Sequence, residues 1–227
     1  MTKEHVQIFI AGDSTVADCP PGEEPRAGWG QLLKNFFTNN VEIHNYAIGG
    51  RSSKSFIEEG RLDQILEKIG ANDYLFIQFG HNDQKDDHRK TEPYFSYQNY
   101  LKIYIDEAKK RKAIPVLITP MHRRTFDENG IIINSLGDYP LAMSQLAKKE
   151  KVPCINLWSK SKKLYEFLGP EDSKKLFIWL KVGENPNYPK GCQDNTHFRY
   201  EGAEAMCKLI TSDIREKIPE LSKFLLQ

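Results

Sequence analysis

Residues 5–18 read HVQIFIAGDSTVAD. Val6, Ile8 and Ile10 form an alternating apolar run that stops at Gly12-Asp13-Ser14. Period-two alternation with β-branched residues is the signal of a strand. Ser14, placed directly after Gly-Asp, has two readings. Ser and Asp are favoured helix N-caps, and on these residues alone the cap is the better supported reading. The other reading is a nucleophile at the edge of a sheet, which needs a base to take its proton. The lipase elbow G-x-S-x-G is not formed, because Val16 stands at its last position.

The wider chain tells which reading to follow. Apolar segments recur at 6–12, 41–49, 73–80, 114–120 and 152–158. Amphipathic stretches at 29–40, 61–70, 94–112, 138–151 and 201–218 lie between or after them, and Gly70 is placed to end the second. Strands alternating with helices predict βαβ units, a mostly parallel five-stranded sheet and helices on both faces. This is the flavodoxin-like, three-layer α/β class. Ligand sites in such sheets lie beyond the carboxyl ends of the strands, near the reversal of strand order. Residues 120–137 carry the turn Glu128-Asn129-Gly130 between β-prone arms, which predicts a small hairpin. Residues 183–198 are dense in Gly, Pro and Asn and read as a long functional loop.

The chain has 227 residues, which fits one domain spanning 1–227. That length buries enough apolar surface to need neither a disulfide nor a metal. Lys and Arg number 32 against 31 Asp and Glu, so no basic stripe points to nucleic acid. The four cysteines (Cys19, Cys154, Cys192 and Cys207) form no CxxC pair. No stretch reaches the 18 apolar residues of a membrane span, and the N-terminus reads as a first strand, not as a signal peptide. A cytoplasmic protein with reduced thiols is therefore expected.

Three further clusters carry chemistry. Asn45–Ser53 (NYAIGGRSS) has paired glycines that let backbone N–H groups approach an anion, yet matches no phosphate loop. Gly80-His81-Asn82-Asp83 supplies an amide that can donate to an oxyanion, or forms an Asx turn. Asp194-Asn195-Thr196-His197 can set a carboxylate against one imidazole nitrogen and leave the other for a serine. Each is weak alone. Three of the four clusters follow predicted strands, and together they make a complete acyl-transfer set.

At GDSTVAD (12–18), GWGQ (28–31), NYAIGGRSSKSF (45–56), GHND (80–83) and PKGCQDNTHF (189–198) the chain resembles the GDSL/SGNH hydrolase superfamily. Within it, the rhamnogalacturonan acetylesterase branch of carbohydrate esterases is the most similar. The resemblance implies Ser14 as nucleophile, His197 as general base and acid, and Asp194 as its orienter. It implies oxyanion donors at Ser14 N–H, Gly50 N–H and the Asn82 side chain. It implies an acetylated oligosaccharide as substrate, most simply a rhamnogalacturonan or pectin fragment. No cofactor and no metal are called for. Acetyl-xylan fragments and small acetyl esters remain compatible.

Around this set, Asp13 reads as a loop organiser, and Trp29 as core packing or a sugar platform. Arg51, His81, Arg123, Arg124, Phe126 and Tyr188 are candidate substrate contacts, with Lys190 of similar standing. The basic pair Arg123-Arg124 suits a uronate-bearing sugar. Two readings from other classes stay open. His81, Asp83, Asp194 and His197 could ligate the metals of a phosphoesterase, or the fold could be a non-catalytic sugar-binding module.

Overall fold

The computed structural model describes residues 5–226. Among these residues are eight strands: β1 Val6–Gly12, β2 Arg26–Ala27, β3 Val41–Asn45, β4 Tyr74–Gln78, β5 Ile114–Ile118, β6 Cys154–Ile155, β7 Phe177–Leu180 and β8 Cys192–Arg199. Five form a parallel sheet in the order β3-β1-β4-β5-β6, the flavodoxin-like order. β1 lies at the reversal, in register with β3 on one side (Ile10 opposite Asn45) and β4 on the other (Gly12 opposite Gln78).

Alternation along β1 explains the layers. Val6, Ile8 and Ile10 point into one core and Phe9 and Ala11 into the other. The first core packs under α1 Trp29–Leu32, α6 Leu157–Asp172 and α7 Tyr200–Lys217. The second lies under α2 Ser53–Glu58, α3 Arg61–Leu66, α4 Gln98–Lys110 and α5 Tyr139–Glu150. A short α8, Pro219–Ser222, closes against the first core through Leu221.

Several local expectations shift. The first amphipathic stretch is helical only over Trp29–Leu32, followed by one tighter turn at Leu33–Phe36. Gly70 does not cap α3, which ends at Leu66, because Asp73 Oδ2 draws the Gly70 N–H into its own turn at 2.9 Å. The fifth strand shrinks to Cys154–Ile155. Asn156 then caps α6 by accepting from the Ser159 N–H at 3.0 Å. Leu157, Ser161 and Tyr165 repeat every four residues as the buried stripe of this helix, to which the sequence reading gave no element beyond residue 158. The predicted hairpin forms around an antiparallel bridge between Phe126 and Ile132.

The long loop before the last helix is the main correction. Residues 192–199 form β8, the middle strand of a second, antiparallel sheet ordered β2-β8-β7. Phe198 pairs with Phe177 and Ala27, and all three are buried.

Candidate active site

The Gly12–Ala17 turn brings Ser14 to the carboxyl end of the parallel sheet. Asp13 carbonyl accepts from Val16 N–H at 3.1 Å and Ala17 N–H at 3.0 Å, which bends the chain immediately after β1. Gly28 is required for the neighbouring segment to lie against this turn, since a Cβ there would sit 2.3 Å from the Ala17 carbonyl oxygen. Ser14 stays partly exposed.

β8 carries the opposing side chains. Asp194 Oδ1 accepts from the backbone N–H groups of Thr196 (2.6 Å) and His197 (3.0 Å). Its Oδ2 lies 2.6 Å from His197 Nδ1, and His197 Nε2 lies 2.9 Å from Ser14 Oγ. Burial alone would raise the Asp194 carboxyl, but the His197 hydrogen bond and charge and the two N–H donors hold it down to about 2. An ionised carboxylate can only accept, so Nδ1 carries the hydrogen and Nε2 offers its lone pair to the Ser14 hydroxyl.

The glycine pair closes the other side. Gly50 has φ +82°, a left-handed conformation that suits glycine. A Cβ built on Gly49 would be 3.4 Å from Ser14 Cβ, so this backbone borders the serine. Ser52 caps α2 in a reciprocal pair with Ser55. Asn82 is 4% exposed and donates one Nδ2 hydrogen to the Arg51 carbonyl at 3.0 Å. Asp83, fully buried, accepts from Ser53 N–H (3.1 Å), Ser53 Oγ (2.5 Å) and Thr91 Oγ1 (3.1 Å), which ties the two loops together. Burial pushes this carboxyl up to about 7 against those donors. A cavity of about 630 Å³ opens between the loops, lined by Ser14, Gly49, Gly50, His81, Asn82, Arg123 and His197 among others.

The candidate contacts separate into those at the cavity and those turned away. His81 and Arg123 line it, and Arg123 donates to the His81 carbonyl at 3.3 Å and that of Ser135 at 3.2 Å. Arg124 is buried behind β8. It donates to Ser173 Oγ (3.0 Å), Asn195 Oδ1 (2.7 Å) and the Pro170 carbonyl, with its guanidinium over Phe126 and Trp179. Arg124 and Phe126 thus brace the strand that bears Asp194. Arg51 turns to Glu59 and the Gly49 carbonyl. Tyr188 donates to the Glu23 carbonyl and borders a smaller cavity beside His197. Trp29 is wholly buried, and Lys190 lies in a separate groove.

Sequence reasoning missed Arg26, Glu23 and Lys85, which also line the main cavity. Only the two-residue pairing of β2 with β8 brings Arg26 there, and two residues leave no periodicity to read. The four residues of the metal reading have separate partners: His81 faces Asp13, Asp83 holds Ser53 and Thr91, and Asp194 holds His197. Among the described residues no group of three or more His, Cys, Asp or Glu side chains could hold a metal ion.

His122, next to Arg123, is 2% exposed and stacks on Trp158 with ring centroids 4.9 Å apart. Burial, reinforced by the Lys162 charge, pushes its imidazole down from 6.5 to about 4. As pH falls from about 6.5 to about 4, the unfolded chain takes up this proton before the folded one does. Stability should therefore fall across that window by up to about 3 kcal/mol. Calorimetry should find a flatter decline in Tm over that window for His122→Phe than for the wild type; equal slopes would remove His122 as the cause.

The family described as GDSL-like lipase/acylhydrolase matches residues 8–210. The chain belongs to this family. It is 52% identical over 216 residues to rhamnogalacturonan acetylesterase RhgT of Bacillus subtilis, covering 95% of this chain and 92% of that protein. It is 42% identical over 211 residues to the probable rhamnogalacturonan acetylesterase YesY of the same organism, covering 92% of each. The solved structure of YxiM from Bacillus subtilis superposes with a TM-score of 0.81 at 28% identity; the match covers 93% of this chain but 56% of that one. Axe2, an acetylxylan esterase from Geobacillus stearothermophilus, shares the fold at a TM-score of 0.65 and 15% identity, covering 93% of this chain and 96% of that one.

Proposed function

We infer that this chain is a carboxylic ester hydrolase that removes acetyl groups from rhamnogalacturonan or related pectin fragments through an acetyl-enzyme on Ser14. The observation that carries the chemistry is the unbroken relay from Asp194 Oδ2 through His197 to Ser14 Oγ, at 2.6 and 2.9 Å. The observation that carries the substrate is the near full-length similarity to the two Bacillus proteins.

His197 Nε2 takes the Ser14 proton as Oγ bonds to the acetyl carbon. The carbonyl oxygen becomes an oxyanion, facing the Ser14 and Gly50 N–H groups and the second Nδ2 hydrogen of Asn82. His197 returns the proton to the departing sugar oxygen. Water then loses a proton to His197 and attacks the acetyl carbon, and Oγ leaves with its proton restored. The whole set acts within one domain. A cytoplasmic location is part of the same reading, supported by four free cysteines; no helix among the described residues is long and apolar enough to cross a membrane.

Acetate release from acetylated rhamnogalacturonan and acetylated xylan oligosaccharides, measured side by side, tests the substrate. A higher kcat/KM on the rhamnogalacturonan fragments is expected, and the reverse order would replace this substrate with xylan. Asn82→Ala should lower kcat roughly 100- to 1000-fold, as expected for one oxyanion donor. A change in KM alone would move Asn82 out of that role.

A further inference from the structure

Asp13 and His81 form a second carboxylate–imidazole pair beside Ser14, which the relay leaves unused. Asp13 is wholly buried and His81 is 3% exposed. Asp13 Oδ1 accepts from Thr15 N–H (2.9 Å) and Thr15 Oγ1 (2.8 Å), and Oδ2 faces His81 Nδ1 at 3.3 Å. Behind them, Thr15 Oγ1 accepts from Gln78 Nε2, and Gln78 Oε1 from Trp29 Nε1, each at 2.8 Å.

This chain has one direction. An indole only donates, so Gln78 meets it with its oxygen and gives its amide hydrogen to Thr15, whose hydroxyl hydrogen goes to Asp13. Burial works to raise the Asp13 carboxyl, but His81 and Thr15 together hold it below its ordinary value. An ionised Asp13 accepts only. His81 Nδ1 therefore carries a hydrogen, and the tautomer this sets has its bare lone pair at Nε2. The ring lines the catalytic cavity beside Asn82. With Nδ1 turned to Asp13, Nε2 is the remaining polar atom of the ring that can serve that cavity.

We propose that His81 Nε2 accepts a hydrogen bond from a free hydroxyl adjacent to the acetylated one, making the site selective for monoacetylated vicinal diols of a sugar ring. The inference rests on the acetyl-ester reading of the Ser14 site. Adjacent ring oxygens fit it, one presented as the ester to Ser14 and the next as a donor to His81. An alkyl or deoxy neighbour leaves the lone pair unmet in a largely desolvated wall.

The test uses three methyl glycosides acetylated on one hydroxyl of a vicinal pair. The neighbouring hydroxyl is intact in the first, removed in the second and methylated in the third. Wild type should favour the intact diol over both others by about tenfold in kcat/KM, roughly 1.4 kcal/mol. His81→Leu should bring both ratios to about one. His81→Gln, whose Oε1 can accept, should recover part of the preference, and stands in should His81→Leu not fold. Asp13→Asn keeps an oxygen for Thr15 and sets an amide hydrogen against Nδ1, which turns Nε2 into a donor. That variant should stop distinguishing the hydroxyl from its methyl ether and still disfavour the deoxy sugar. Ratios within one variant cancel any general loss from altered packing.

A wild type indifferent to the neighbouring hydroxyl overturns the proposal, as does a His81→Leu variant that keeps the preference. Cleavage of p-nitrophenyl acetate with none of the three glycosides touched would strike the carbohydrate reading itself, and this inference with it.

Discussion

Ser14→Ala is expected to lower kcat for acetyl-ester hydrolysis by roughly 10⁵- to 10⁶-fold, the scale seen when a serine hydrolase loses its nucleophile. Without Oγ no acetyl-enzyme can form, and what remains is attack by water near the oxyanion donors. The fold should be untouched, because Ser14 is partly exposed and its Oγ hydrogen-bonds to His197 at 2.9 Å at the rim of the cavity. The turn is held by the Asp13 carbonyl and carboxylate, which the substitution leaves in place. Tm should therefore stay within about 2 °C of wild type. A fluorophosphonate that reacts covalently with activated serines should label wild type and not the variant. Retained turnover with p-nitrophenyl acetate would end the serine mechanism, and failure of the wild type to label would favour a binding module.

Asp194→Asn should cost about 10⁴-fold in kcat while leaving KM nearly unchanged. The substituted amide keeps an oxygen for the Thr196 and His197 N–H groups, so the turn survives. Its NH₂ then meets His197 Nδ1 as a donor, and the imidazole must carry its hydrogen on Nε2. In that tautomer Nε2 cannot accept the Ser14 proton. The wild-type carboxyl is held at about 2 by His197 and the turn N–H groups, against the opposing effect of burial. It stays ionised at any pH above about 3, so a fall in kcat between pH 4 and 7 belongs to another group. Steady-state kinetics over that range, with wild type and variant in parallel, measure both points. An Asp194→Asn enzyme within tenfold of wild type would remove the carboxylate from the relay.

Three of the four chemical clusters were legible because each is short, contiguous and attached to a strongly patterned strand; the fourth, Asp194–His197, was legible only from its residue types and their spacing. Val6, Ile8 and Ile10 announce β1, and the serine follows two residues after its last glycine. The apolar runs at 74–78 and 114–118 are buried almost throughout, and continuous β-prone hydrophobicity is what a central parallel strand requires. β8 was not legible. Gln193-Asp194-Asn195-Thr196 has poor strand propensity, and the segment is extended because β7 and β2 pair with its two edges. The run Phe177–Leu180 carried a usable strand signal, and with it the partner that β8 needed.

Side-chain direction was the other gap. Arg123 and Arg124 are neighbours in a basic pair, yet one borders the cavity and the other is buried against Trp179 and Asn195. The sequence by itself determined the strand order's raw material, the sheet class and the clusters proposed to carry acyl transfer, because periodicity and turn chemistry are local. Only the tertiary structure decided which of two adjacent arginines meets the cavity, that Arg26 joins it, and that Asp13 and His81 form a pair. Those outcomes depend on strand pairing and burial between segments far apart in the chain, and no local pattern encodes them.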